Sequence, residues 1–226
     1  MYKEKVALIE QAAGGLAHEV RNPLMAITGL VKVLREKIGH QRDTGEIMDI
    51  IDREAGELND IVNALLNIAQ PAPPKLKLER LEPILHEVII DLKRDTGLNH
   101  NRRISYVINR EDNFPEWIYM DHRQLKQVIT SVASNAVESI TGRGTVTFGM
   151  HNYIFGSRVR LEIADNGCGI PGRYLTKVGL PFFTTKARGK GLDLSASIMI
   201  IDRHGGELDI DSVEGKGTVV SLYLPV

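Results

Sequence analysis

Gln70-Pro71-Ala72-Pro73-Pro74 divides this 226-residue chain into two parts with different hydrophobic periods. Proline has no N–H to give a helix and pushes the residue before it out of the helical region, so no helix runs through this stretch. The domain boundary is set here, with residues 1–72 on one side and 73–226 on the other. Upstream, residues 2–38 read as one amphipathic helix, because Leu16, Val20, Leu24, Ile27, Val31, Leu34 and Ile38 recur at three- and four-residue spacing. Gly39-His40 ends it, and a second helix carries Ile47, Ile50, Ile51, Leu58, Ile61, Val62, Leu65 and Ile68. At about 1.5 Å per residue the two helices are roughly 55 and 40 Å long. A single pair cannot bury both stripes, so the pattern predicts a homodimer built as a four-helix bundle.

Downstream the period becomes mixed. A helix over 81–95 precedes strands at Ile104–Ile108 and Trp117–Met120, a helix from Asp121 to Ile140, and strands at Thr145–His151 and Val159–Ala164. A glycine-rich stretch leads to a helix over 194–204 and a closing hairpin. This order predicts a two-layer α/β sandwich rather than a parallel doubly wound sheet, and an α+β chain overall.

Composition narrows the class. With 42% apolar and 25% charged residues the chain can bury a core, and a net charge of −1 gives no reason to expect nucleic acid or an anionic membrane as partner. The apolar runs fall short of the roughly 18 residues that span a bilayer, and the N-terminus is charged and amphipathic, so a cytoplasmic location is expected for this core, with membrane anchoring through a further N-terminal region as the alternative for a longer protein. A single cysteine, Cys168, excludes an internal disulfide and a cysteine-based zinc site.

Two features of the first helix invite chemistry. His18 lies two residues from Leu16 and from Val20, about 200° round the helix from each, so it faces away from the apolar stripe. Asn22 shares that outer face and Glu19 is adjacent, which places a carboxylate beside an exposed imidazole. Pro23, one turn on, removes a helix hydrogen bond and predicts a kinked or loosened turn. An exposed helical histidine is most often only solvated surface, and spacing alone does not decide the matter.

The string H-E-V-R-N-P-L (18–24) resembles the phosphoacceptor box of sensor histidine kinases, departing only at Val20. The resemblance implies that His18 accepts the γ-phosphoryl group of ATP and that Glu19 assists as base. It also implies that Asn22 positions water when a phosphorylated response regulator is dephosphorylated.

Four further motifs follow in the order found in the kinase and Hsp90-like ATPase superfamily, whose ATP-binding domain is the Bergerat (GHKL) fold. Q-V-I-T-S-V-A-S-N-A-V-E-S-I (127–140) resembles the N box, which implies Asn135 as the Mg²⁺ ligand; Ser131 stands where the family usually has asparagine. D-N-G-C-G-I-P (165–171) resembles the G1 box, which implies that Asp165 reads the adenine amino group while Gly167, Gly169 and Ile170 line the base. The same letters spell G-x-G-x-x-G through Gly172, a competing dinucleotide fingerprint that Pro171 interrupts. P-F-F-T-T-K (181–186) and G-K-G-L-D-L (189–194) resemble the F and G2 boxes, a mobile lid that implies phosphate contacts from Thr185, Lys186, Gly189, Lys190, Gly191 and Leu192. Asp193 replaces the customary glycine and reads as an N-cap for the following helix, as a charge that weakens nucleotide binding, or as both. E-G-K-G-T (214–218) resembles the G3 element, with Thr218 near the nucleotide. Each piece alone has a plain reading, whether core amide, β-turn, exposed lysine or hairpin turn; their order behind an H box does not.

The resemblance spans nearly the whole chain, and the boxes look most like those of sporulation and nitrogen-regulation kinases. It implies a Mg²⁺-ATP-dependent protein-histidine kinase, a homodimer whose partner is a response-regulator receiver domain. A protein inhibitor of the helical bundle is a further candidate partner. Two rivals follow from the departures: a kinase-weak phosphatase or scaffold, suggested by Ser131 and Asp193, and an ATPase that uses hydrolysis to change conformation.

Overall fold

The structure, a computed structural model, describes residues 22, 23, 25–27, 29, 30, 33, 47, 50, 51, 53–56, 73–97, 103–153, 157–186 and 189–226. The chain divides into two compact units, Met1–Pro71 with Leu180–Leu192, and Ala72–Gly179 with Asp193–Val226. In the first, every described residue between 22 and 56 is helical, on both sides of the predicted break at 39–40. Among the described residues no helix is long and apolar enough to cross a membrane.

The second unit holds β1 (Lys77–Glu79), α1 (Leu81–Gly97), β2 (Arg103–Arg110), β3 (Ile118–Met120), α2 (His122–Ser139), β4 (Arg143–Tyr153), β5 (Arg158–Asp165), α3 (Gly172–Leu175), α4 (Asp193–Arg203), β6 (Glu207–Val213) and β7 (Gly217–Pro225). Period-two alternation builds its main sheet. Val146, Phe148 and Met150 of β4, Val159, Leu161 and Ile163 of β5, and Leu222 and Leu224 of β7 are buried on one face. Thr145, Thr147, Arg160 and Glu162 take the alternate positions. Helices cover the apolar face through Leu85 and Val88 of α1, Leu125, Ile129 and Val132 of α2, and Ile201 of α4, giving two layers over one core.

The five strands run in the order β2-β4-β5-β7-β6. β2 and β4 are parallel, with Arg103 opposite Arg143, and the other neighbours are antiparallel. A parallel pair needs a long crossover, which here runs through β3 and α2. Two short elements escape the sequence reading. β1 pairs antiparallel with β3, with Leu78 opposite Tyr119, and α3 is a single turn after Pro171.

The start of α2 is tied to its surroundings by one residue. Asp121 is the N-cap, accepting the Gln124 N–H through Oδ1 at 3.0 Å, while Oδ2 accepts the Lys75 N–H at 2.9 Å. Its own N–H donates to Nε2 of buried His204 at 3.1 Å, so the ring proton sits on Nδ1, which donates to the Ile200 carbonyl at 2.8 Å. Burial would push the Asp121 carboxyl up, but the Lys75, Gln124 and Arg123 N–H groups outweigh it and hold the group below its ordinary value. A lowered carboxyl contributes stability that is present above its unfolded value and is lost as pH falls through the folded one. Asp121→Ala is therefore expected to cost about 1–2 kcal/mol at neutral pH, a cost that begins to shrink below about pH 4 and is lost only as pH falls through the lower value of the folded carboxyl. Denaturant titrations of both proteins at several pH values check this.

Candidate functional site

On α2 the residues Ser131, Asn135 and Ser139 recur every four positions and so form one stripe, partly exposed, beside the buried Val132, Ala133, Ala136 and Val137. At 1.5 Å per residue, Asn135 and Ser131 lie about 6 and 12 Å back along the axis from Ser139. The helix ends against the loop that follows β5. There Asp165 Oδ1 accepts the Ser139 hydroxyl at 2.9 Å and the Gly167 N–H at 2.8 Å. Among the described residues nothing donates to Oδ2, so this acceptor remains open.

The rest of that loop is clamped from both sides. The Cys168 N–H donates to the Ser139 carbonyl at 3.0 Å, and the Gly215 N–H donates to the Cys168 carbonyl at 2.7 Å. The Ile170 N–H donates to Ser212 Oγ at 2.8 Å. The single Ser212 proton goes to the Gly217 carbonyl at 2.9 Å, which leaves the Thr218 hydroxyl, 2.9 Å away, to donate to Ser212. This buried serine is thereby fully satisfied. Two glycines are required by contact and by backbone. A Cβ on Gly167 would collide with Ser139, and Gly169, at φ +65°, would drive one into the Val213 carbonyl. Asp165, Gly167, Gly169, Ile170 and Thr218 are thus brought together into one rigid cradle at the end of α2.

The dinucleotide-fingerprint alternative does not survive this geometry. β5 is antiparallel to both its neighbours, and Gly172 opens a four-residue helix capped by Pro171. A Rossmann turn needs a parallel strand feeding a full helix.

A metal partner is tested by the donors present. Among the described residues no cluster of three or more His, Cys, Asp or Glu side chains can hold an ion. The α2 stripe instead offers the Asn135 amide and the Ser131 hydroxyl, whose oxygen is buried with no hydrogen-bond partner. A sparse set of neutral oxygen donors suits Mg²⁺, which keeps waters and leans on ligand phosphates. The residues fit.

The remaining predicted positions lie elsewhere. His18 and Glu19 fall outside the described residues; Asn22 is helical and exposed, in keeping with the outer face assigned to it. Thr185, Lys186, Gly189, Lys190, Gly191 and Leu192 belong to the segment Leu180–Leu192, grouped with the helical unit. Within that segment the Phe182 N–H donates to the Gly191 carbonyl at 2.8 Å, and Phe182 and Gly191 both have positive φ, +64° and +65°. A Cβ on Gly191 would press on the Phe182 and Phe183 backbone, so glycine is needed there too. The N-cap reading of Asp193 is corrected: Asp193 is the first residue of α4, exposed, and its carboxylate makes no hydrogen bond among the described residues. Its backbone carbonyl accepts the Ser197 hydroxyl at 2.7 Å.

Comparison with known proteins now decides the family. Residues 8–73 match the His Kinase A (phospho-acceptor) domain, and residues 120–226 match the histidine kinase-, DNA gyrase B- and HSP90-like ATPase domain. Over 224 residues the chain is 34% identical to sensor histidine kinase ZraS of Klebsiella oxytoca, covering 99% of this chain and 47% of that protein. The chain belongs to the sensor histidine kinases. It is also 33% identical over 227 residues to sporulation kinase C of Bacillus subtilis, covering 99% of this chain and 50% of that one. In fold it resembles histidine kinase ThkA, solved in complex with response regulator protein TrrA, with TM-score 0.74, 23% identity, and coverage of 99% of this chain and 63% of that one. This kinase core spans about half the length of the curated relatives it matches.

Three residues of the kinase's cradle escape the sequence reading. Ser139 and Ser212 hold its two sides, and Asn166 Oδ1 accepts the Thr145 N–H at 2.8 Å, fastening the loop to β4. Signals for two of them exist. Ser139 continues the four-residue spacing of Ser131 and Asn135, and Ser212 is a polar residue at an inward position of β6, in step with Leu208 and Ile210.

Proposed function

We propose that this chain is the catalytic core of a two-component sensor kinase that binds Mg²⁺-ATP, phosphorylates His18 and passes the phosphoryl group to an aspartate of a response-regulator receiver. Residues 1–72 serve as the dimerisation and phosphoacceptor domain, 73–226 as the ATP-binding domain, and Gln70–Pro74 as the hinge. The observation that carries this reading is Asp165, with one oxygen locked by Ser139 and Gly167 and the other open. An acceptor-only oxygen in a rigid, glycine-lined cradle selects a ligand that presents an N–H donor, as adenine does and the carbonyl edge of guanine does not. From there the α2 stripe leads through Asn135 to Ser131, in the direction that a nucleotide's phosphates would take.

The chemistry follows from positioning. An imidazole nitrogen of His18 attacks the γ-phosphorus, an N–P bond forms, and the bond to the β,γ-bridging oxygen breaks as ADP leaves with the electron pair. Glu19 takes up the imidazole proton, and Asn22 orients the water that hydrolyses the aspartyl phosphate of the response regulator, a separate phosphatase reaction that releases inorganic phosphate. Asn135 and Ser131 would hold Mg²⁺, which neutralises phosphate charge when bound. Thr185, Lys186, Gly189, Lys190, Gly191 and Leu192 would close over the phosphates, with Thr218 beside the base. The ATP requirement places this core in the cytoplasm, and its expected partners are a second copy of the chain and a receiver domain, as ThkA is solved with TrrA.

A hydrolytic ATPase needs a carboxylate to activate water, and the relevant α2 position here is Ser131, whose hydroxyl cannot serve as that base. Incubation with γ-labelled and, separately, α-labelled Mg²⁺-ATP tests the choice. The kinase reading requires covalent label from the γ position only; free labelled phosphate with unlabelled protein would favour hydrolysis.

Asp193 offers a finer test of the phosphate side. Because its exposed carboxylate forms no cap bond among the described residues, Asp193→Asn removes a like charge near the proposed phosphate position at little structural cost. ATP affinity is expected to rise on the order of three- to tenfold at low salt, with the gain fading as ionic strength increases. Calorimetric titration at two salt concentrations measures both effects, and an unchanged affinity at low salt would remove Asp193 from the phosphate site.

A further inference from the structure

We propose that Ser139 is a positioning residue for base recognition, holding Asp165 in the single orientation that leaves Oδ2 as the acceptor presented to the ligand. The inference rests on the reading of Asp165 as the adenine contact and goes one layer behind it.

The Ser139 hydroxyl has one proton and two acceptors in reach, the Ala136 carbonyl at 2.7 Å and Asp165 Oδ1 at 2.9 Å. A serine in a helix commonly bonds back to its own preceding turn, which would turn lone pairs, not a proton, toward Asp165. The ionised carboxylate is the stronger acceptor, so the proton belongs with Oδ1. Together with the Gly167 N–H at 2.8 Å, this gives Oδ1 two donors. Rotating the carboxylate would break both bonds in a loop whose backbone is already fixed by the bond from Cys168 N–H to the Ser139 carbonyl. The same residue therefore orients the acceptor through its side chain and anchors the loop through its backbone. Gly167 has no room for a side chain because Ser139 occupies the space, so glycine is what lets the loop close onto the serine.

Ser139 lies in the N-A-V-E-S-I segment, one turn beyond the proposed metal ligand Asn135 and on the same stripe. One helix would thus set the base end and the phosphate end of the nucleotide together. Removing the hydroxyl leaves the backbone anchor and the Gly167 bond in place but gives Asp165 a second orientation. Affinity for the amino group should suffer, and affinity for the rest of the nucleotide should not.

The test compares dissociation constants for ATP and for purine riboside 5′-triphosphate, which lacks only the amino group, in the wild-type chain and in Ser139→Ala. The wild-type protein is expected to prefer ATP, and Ser139→Ala to lower that preference on the order of three- to tenfold, the scale of one charge-assisted hydrogen bond acting at one remove. Affinity for purine riboside triphosphate should stay within about twofold, a readout that mere loosening of the fold would not spare. A Ser139→Ala protein that keeps the wild-type preference, or that loses both affinities equally, overturns the role of Ser139 while leaving Asp165 as the base reader. A wild-type protein with no preference for ATP would overturn the Asp165 reading, and this inference with it.

Discussion

Asp165→Asn is expected to weaken ATP binding by about 10- to 100-fold without unfolding the protein, the cost of losing a hydrogen bond to a charged acceptor and gaining an opposed donor. The reason lies in the locked oxygen. The Gly167 N–H and the Ser139 hydroxyl both demand an acceptor, so the amide oxygen of the substituted side chain takes the Oδ1 position. Its NH₂ then occupies the Oδ2 position and meets the adenine amino group donor to donor. Inosine triphosphate, which presents a carbonyl there, should gain relative to ATP in the same variant. Competition binding with both nucleotides measures the reversal. Equal loss for both would mean that the carboxylate supports the cradle rather than reading the base.

The second large effect concerns His18. His18→Gln is expected to abolish covalent labelling from γ-labelled ATP while leaving nucleotide affinity and the dimer unchanged, because the phosphoacceptor and the cradle belong to different parts of the chain. Light scattering should give about twice the 25.1 kDa chain mass for both proteins. Undiminished labelling of the variant would move the acceptor to another residue.

Much of this was legible before the structure, and the reasons differ by element. β4, β5 and β7 alternate so regularly that Phe148, Leu161 and Leu222 could be placed in the core from parity alone. α2 begins at a recognisable cap, Asp121, and ends within one residue of its predicted terminus. The three-residue β1 has no period to detect, and the parallel pairing of β2 with β4 depends on the crossover, not on either strand's own pattern. α3 is hidden because Pro171 reads equally well as a turn. Asp193 shows how a residue's type can mislead: a favoured cap residue begins the helix instead, its side chain making no hydrogen bond among the described residues.

Within the site, the motif glycines were legible as types, while their causes were not. Gly167 is required by Ser139, and Gly169 by the Val213 carbonyl, contacts that join residues far apart in the chain. The orientation of Asp165 depends on a side-chain rotamer and on one hydroxyl proton, neither of which periodicity or spacing can reveal.

The central claim, that this chain stores the γ-phosphoryl group of ATP on a histidine, is tested most directly by the chemistry of the label itself. After incubation with γ-labelled Mg²⁺-ATP, the denatured protein is divided between acid and base and the retained label is counted. A phosphorus–nitrogen bond to His18 predicts label lost in acid and kept in base. Label that survives acid, as on serine or threonine, or that is lost in base, as on an acyl phosphate, would contradict the account.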